Sequence, residues 1–224
     1  MRSLLLRLEG PLQSWGTQGR FGIRDTDTEP SKSGVLGLLA SALGAPRDDD
    51  ATVARLAELQ MAVRVDREGQ LLRDYHTVGA GMFRGRRHAL YGTTKTAVTH
   101  RYYLSDASFL VALGGSDAAF LNRAAGALQD PRWPLFLGRK ACVPSMPIFV
   151  AVVDALPKEA LCSVALQAAA PGPVRERVRL VLESDEGDAR NDVPLSFCLY
   201  ARQHTSRCVR TEWLNVAEVE GGAP

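Results

Sequence analysis

Hydrophobic periodicity along this chain changes in the order strand, helix, strand, strand, helix, strand, and few architectures accept that order. Residues 3–8 form an apolar run stopped by Gly10 and Pro11, the mark of a buried strand. Over 33–43, Val35, Leu36, Leu38, Leu39, Ala42 and Leu43 recur at helical spacing; Ser31 or Ser33 can cap this helix, and Gly44 with Pro46 stops it. A second helix is expected over 50–59, its acidic start suited to the helix dipole. Met61, Val63 and Val65 then alternate with Ala62, Arg64 and Asp66 in a strand, and Gly69 turns the chain into a short strand over 71–75. After a basic segment, 104–113 reads as a strand, 117–128 as a helix and 148–153 as a further strand. The sequence therefore predicts an α+β chain with a ferredoxin-like split βαβ unit, whose sheet leaves one face free of helices. That domain covers 1–153, with the basic segment inserted as an arm. Residues 154–224 are expected as a smaller lobe with a strand at 178–182, an acidic surface loop at 185–192 and a basic stretch at 202–210.

Composition closes off several function classes. At 224 residues, 46% hydrophobic and 23% charged, the chain has the makeup of an ordinary soluble globular protein. Its start is too short an apolar run for a secretory signal, and no run approaches the roughly 18 residues of a membrane span, so a cytoplasmic protein without membrane contact is expected. Cys142, Cys162, Cys198 and Cys208 form no CxxC pair, which gives no basis for a structural zinc or a dithiol redox motif. The GxxxxGK[ST] and HExxH patterns are missing, and no cofactor or metal is indicated.

Charge is nearly balanced overall, 27 basic against 25 acidic residues, but it is sorted. From His76 to Tyr103 the chain runs 28 residues without Asp or Glu, carrying Arg84, Arg86, Arg87, Lys95 and Arg101, three of the four histidines, and Phe83, Tyr91, Tyr102 and Tyr103. Cations interleaved with rings suit a single-stranded nucleic acid, charge for its phosphates and flat faces for its bases. A solvated basic loop would look the same. Three further clusters stand apart from it. Gln13, Ser14 and Trp15 follow the first strand, where they offer hydrogen bonds and a stacking face, or a tryptophan that plugs the core. Lys32 and Ser33 open the first helix, where free N–H groups form a natural phosphate seat. Gly138 precedes Arg139 and Lys140, a pattern that lets a backbone approach a phosphate closely. Gly34 and Gly37 inside the first helix imply that something packs close to its backbone. For catalysis, metal-independent RNA cleavage needs a base and an acid, and Tyr75, His76, His88, Lys95 and His100 have suitable chemistries.

The motifs LEGPLQSWG at 8–16, SGVLGLL at 33–39, RDYHT at 73–77, DASF at 106–109 and FLGRK at 136–140 resemble, in order and spacing, the CasD branch of the Cas-five family, a subunit of the subtype I-E CRISPR Cascade complex. The resemblance spans roughly residues 1 to 150 and is looser beyond. It implies an RNA-recognition-like fold with a projecting thumb at about 78–101. It also implies a non-catalytic role, capping the 5′ handle of the guide RNA in a ribonucleoprotein. The implied partners are that handle, the backbone subunit reached by the thumb, and the large subunit; target DNA is met only through the complex. Carried over, handle binding falls to Gln13, Ser14, Trp15, Lys32, Ser33, His76, Arg101, Tyr102, Arg139 and Lys140, with Arg84, Arg86, Arg87 and Lys95 on the thumb. Related subunits of another subtype cut RNA with Tyr, His and Lys side chains, so the alternative is a metal-independent endoribonuclease processing CRISPR repeat RNA.

Overall fold

Strand β1 (Arg2–Glu9) buries Leu4, Leu6 and Leu8 toward one apolar cluster and Leu5 toward another, all completely. A strand can do this only inside a sheet covered on both faces. The computed structural model describes residues 1–17, 22–78, 81–83, 86–88, 97–166 and 176–220. After β1 come β2 (Leu12–Gln13), β3 (Ile23–Arg24), α1 (Lys32–Leu43), α2 (Asp50–Ala57), β4 (Gln60–Arg67), β5 (Gln70–Val78), β6 (Gly81–Phe83), β7 (Arg86–His88) and β8 (Ala97–Ser105). Then follow β9 (Ser108–Gly115), α3 (Ala118–Gln129), β10 (Phe149–Val153), α4 (Pro157–Cys162), β11 (Arg177–Ser184), β12 (Asp188–Ser196), β13 (Gln203–Asn215) and α5 (Val216–Glu220).

The fold is mixed α+β around an antiparallel sheet of seven strands, ordered β10-β1-β9-β4-β11-β13-β12. Two helices start on side-chain caps: Asp49 accepts from Thr52 N at 3.0 Å ahead of α2, and Asp117 from Phe120 N at 2.9 Å ahead of α3; Ser31 stands at the N-cap of α1, but its side chain makes no cap bond. Strands beyond residue 154 prolong the same sheet, β11 pairing with β4 from Arg179↔Val65 to Leu182↔Ala62. The C-terminal segment is thus β-rich, and it is hydrogen-bonded into the sheet of the first 153 residues.

One face of the sheet packs Leu4, Phe109, Val111, Met61 and Val63 against Leu36 and Leu39 of α1 and Leu121 of α3. The opposite face, expected to be free of helices, packs Leu5, Ala62, Leu110, Ala112, Leu180 and Leu182 against Ala160 and Leu161 of α4. Six residues are too few for a helical period to stand out in sequence, so α4 escapes prediction. Two further expectations are corrected. Residues 104–113 read as one strand but divide at Asp106, whose φ of 57° turns the chain from β8 into β9. β8 belongs to a separate small sheet with β2, β3 and β5; the Arg67 side chain, donating to the Asp106 carbonyl, holds the turn. Residues 185–192 are not a surface loop throughout: from Asp188 they enter β12, where Asp192 is buried. Among the described residues, no helix is long and apolar enough to cross a membrane.

Candidate nucleic-acid interface

The turn after β1 is built inward. Gln13 is fully buried; its Nε2 donates to the carbonyls of Leu8 (3.1 Å) and Ala107 (2.8 Å), and its Oε1 accepts from Trp15 Nε1 at 3.0 Å. Trp15 is 1% exposed and lies against Gly34 of α1, where a Cβ would come within 2.9 Å of the indole. That contact accounts for a glycine inside a helix, which costs about 1 kcal/mol relative to alanine. The sequence offers Gln13 and Trp15 for reading bases. Their polar atoms instead satisfy each other and the backbone, as buried polar groups must, and so order the loop.

The N-terminus of α1, expected as a phosphate seat, already faces a protein anion. Asp192 Oδ2 accepts from the Lys32 backbone N–H at 2.7 Å, and Arg207 bonds both oxygens of the same carboxylate at 2.7 and 3.0 Å. Lys32 Nζ is turned inside, 2.9 and 3.1 Å from the Glu183 oxygens. Burial pushes its pKa below the ordinary lysine value, against the pull of Glu183. Lys32 is therefore a buried structural cation and presents no charge to a ligand. Its partners lie some 150 residues away in sequence, beyond the reach of local pattern.

Ser33 edges a groove of about 930 Å³. Ser14, Arg24 and Asp25 line it from the start of the chain, Ser41 from α1, Arg47 from the following turn, Trp133, Phe136, Arg139 and Lys140 from the loop before β10, Phe197 and Arg202 from the connection between β12 and β13, and His204 from β13. Arg24, Arg47, Lys140 and Arg202 are exposed, and Asp25 is the one acidic residue among the described residues lining it. Trp133 is exposed, and Phe136 and Phe197 are half-buried, so rings stand among the cations. Burial, then the neighbouring Arg202 charge, hold His204 below its ordinary value.

Arg139 braces this wall. Its guanidinium donates to the carbonyls of Tyr102 (3.0 Å), Arg24 (2.8 Å) and Asp25 (3.0 Å) and lies 4.7 Å over the Tyr103 ring. All these acceptors are neutral, so the positive charge persists while the side chain ties β3 to β8. Gly138, at φ 91°, lets the loop close on Ser14: a Cβ there would stand 1.8 Å from the Ser14 carbonyl oxygen. Arg101 sits opposite Arg24 in the β3–β8 pairing, and its buried Nε has no acceptor among the described residues. Sequence reasoning missed Arg24, Arg47, Trp133 and Phe197. For Trp133 a signal existed, since it stands between Pro131 and Pro134, just ahead of the Gly138 cluster.

The basic segment begins on a ribbon, β5 paired with β8 from Gln70↔Ser105 to Val78↔Ala97, and continues into the hairpin of β6 and β7. Side chains alternate across a strand. Tyr75 and His100 are directly paired, with ring centroids 5.7 Å apart, whereas His76 faces the other way beside Asp74, Nδ1 to Oδ2 3.6 Å. The candidate acid–base set is thus divided between two faces. Arg86, Arg87 and His88 lie in β7; Arg84 and Lys95 lie outside the described residues. No group of three or more metal-ligating side chains occurs among the described residues.

Comparison with known proteins places this geometry in a family. A family model described as CRISPR-associated protein (Cas_Cas5) matches residues 3–210. The chain is 41% identical over 176 residues to the CRISPR system Cascade subunit CasD of Escherichia coli (strain K12), covering 72% of this chain and 76% of that one. A crystal structure of a Cas protein superimposes with a TM-score of 0.75 at 41% identity, covering 96% of both chains. A chain of a CRISPR RNA-guided surveillance complex gives 0.78 at 38% identity, over 96% of this chain and 90% of that chain. By sequence along nearly its whole length and by fold, the chain belongs to the CRISPR-associated Cas5 family.

Proposed function

We propose that this chain is a non-catalytic RNA-binding subunit of a CRISPR Cascade surveillance complex, and that its groove holds the 5′ handle of the guide RNA. One observation carries the reading: Arg24, Arg47, Arg139, Lys140 and Arg202 converge with Trp133, Phe136 and Phe197 on one concave surface, although four separate stretches of sequence supply them. Cations track phosphates and rings receive unstacked bases, the combination a bent single strand requires. The strand order β10-β1-β9-β4, with helices between its first and second and its third and fourth strands along the chain, supports a ferredoxin-like, RNA-recognition-like core.

The β5–β8 ribbon with its hairpin is the thumb that reaches the adjacent backbone subunit; Leu71, Tyr75 and Val98 stand exposed on it. The large subunit is the second protein partner, and target DNA is met through the assembled complex. Residues 154–224 supply the far wall of the groove through Phe197, Arg202 and His204. Ser14, Ser33, His76, Arg101, Tyr102, Arg139 and Lys140 keep roles in or beside the RNA path, with Arg84, Arg86, Arg87 and Lys95 on the thumb. Gln13, Trp15 and Lys32 act on it by shaping the surface.

The test is fluorescence anisotropy with a labelled single-stranded RNA carrying the handle, against a duplex of equal length, together with gel analysis in the presence of a chelator. Tight binding of the single strand without cutting is expected. Site-specific cleavage that disappears in His76→Ala would replace this reading with an endoribonuclease.

A further inference from the structure

Beside the groove lies a smaller cavity of about 460 Å³, and the two share Thr17, Ser31 and Asn191 at their border. Its floor is apolar, made by Met61 and Val63 of β4, Val181 of β11 and Val209 of β13. Its walls differ from the groove in charge. Asp27, Glu29 and Asp192 stand with Arg190 and Arg207, with Arg179 paired to Glu29 behind them, a near-balance where the groove is strongly basic. Glu29 is paired with Arg179 and Arg190, and Asp192 with Arg207. Asp27 stands apart. It forms no ion pair among the described residues, and its Oδ2 accepts one hydrogen bond, from Thr17 Oγ1 at 2.9 Å.

A phosphate gains no net attraction from so nearly balanced a lining, whereas a flat neutral ring with N–H donors on one edge needs none. An ionised carboxylate is an acceptor only, with two oxygens that can each take a donor. Guanine presents two adjacent donors, N1–H and the 2-amino group, on its pairing edge. Adenine and cytosine set an acceptor next to their amino group, and uracil offers a single donor between two carbonyls. The cavity volume lies within the range of small-ligand sites, about 300–1,000 Å³.

Resting on the groove as the path of the RNA, we propose that this cavity receives one guanine extruded from the strand, its ring on the apolar floor and its N1–H and 2-amino group donating to Asp27. Phosphates on either side of that nucleotide stay with the groove cations. Burial already raises the Asp27 pKa, with the Thr17 hydrogen bond and the Arg190 charge opposing and the Asp25 and Glu29 charges adding to it; two further donors offset that cost.

The experiment uses the full chain and four labelled octaribonucleotides: octauridine, and octauridine with one central guanosine, adenosine or inosine. In the unaltered protein the guanosine oligomer should bind about tenfold more tightly than octauridine or the adenosine oligomer, the order expected of one bidentate contact. Inosine, which lacks the 2-amino group, should fall between. Asp27→Asn should bring the ratio of guanosine to uridine affinity close to one. Equal binding of all four oligomers, or a guanosine preference that survives Asp27→Asn, overturns the base pocket and leaves the groove standing. Failure of every oligomer to bind overturns the groove reading, and this inference with it.

Discussion

Arg64 shows how one side chain joins local sequence to distant structure. It occupies the outward set of an alternating strand, where solvent is expected, yet it is fully buried. Its Nε and Nη2 bond the two Asp66 oxygens at 2.6 and 3.0 Å, and Nη1 donates to the carbonyls of Leu161 (2.5 Å) and Val164 (2.7 Å) at the end of α4. A planar fork with five donors is the one cationic head that can satisfy a carboxylate and a helix end together. Arg64→Met keeps the bulk and removes every donor. Asp66 then stays buried with Arg7 3.1 Å away, and the α4 carbonyls lose their partner. We predict a loss of about 3–5 kcal/mol, the usual result of breaking a buried pair from one side. Urea unfolding measures it, and a loss below about 1 kcal/mol would mean that water replaces the guanidinium. The same residue marks a limit of legibility. Sequence alternation reports which face a residue is on, and α4, which covers that face, is too short to announce itself.

Elements with a long period were readable. α1, α2 and α3 fall within two residues of their expected ends, because apolar spacing and caps specify them locally. What could not be read was where β11, β12 and β13 attach, since register across a sheet is set by partners far away in sequence. One such attachment is an ionic strap. Arg179 of β11 bonds both Glu68 oxygens at 2.9 and 2.7 Å and Glu29 at 3.0 Å, and Arg190 of β12 reaches Glu29 at 2.9 Å. Burial alone raises the Glu29 pKa, but hydrogen bonds from Thr28 and Arg179 and the charges of Arg179 and Arg190 hold it below its ordinary 4.5. A carboxyl depressed by folding contributes stability that is complete above its unfolded value and is lost as pH falls through the folded one. Glu29→Gln should therefore lower the urea midpoint most above pH 4.5, and the gap to the parent chain should narrow as pH drops further. A gap that stays constant down to pH 3 would show that Glu29 acts through packing rather than charge.

Across the whole molecule, a net charge of +2 conceals a strongly sided surface. The clusters around residues 13, 32 and 138 were visible in sequence, and the fold does bring their backbones together; what sequence could not show was which side chains point outward. Gln13, Trp15 and Lys32 turn in, while Arg24, Arg47, Lys140 and Arg202 face the groove. If those four exposed cations each meet a phosphate, log affinity for single-stranded RNA should fall with log salt at a slope near −3 from the groove, about −0.7 for each phosphate. Removing two of them in Lys140→Ala/Arg202→Ala should make that slope shallower by about 1.4. Arg55 is the matched control. It is about as exposed, yet it pairs with Asp117 at 2.8 Å and lies 4.4 Å over Phe120, outside the groove lining. Arg55→Ala should leave the slope unchanged. Anisotropy titrations at several salt concentrations separate the possibilities. A double variant that loses affinity at an unchanged slope would place Lys140 and Arg202 against bases rather than phosphates. A slope that moves equally in Arg55→Ala would mean that the protein's diffuse field, and not this groove, holds the strand.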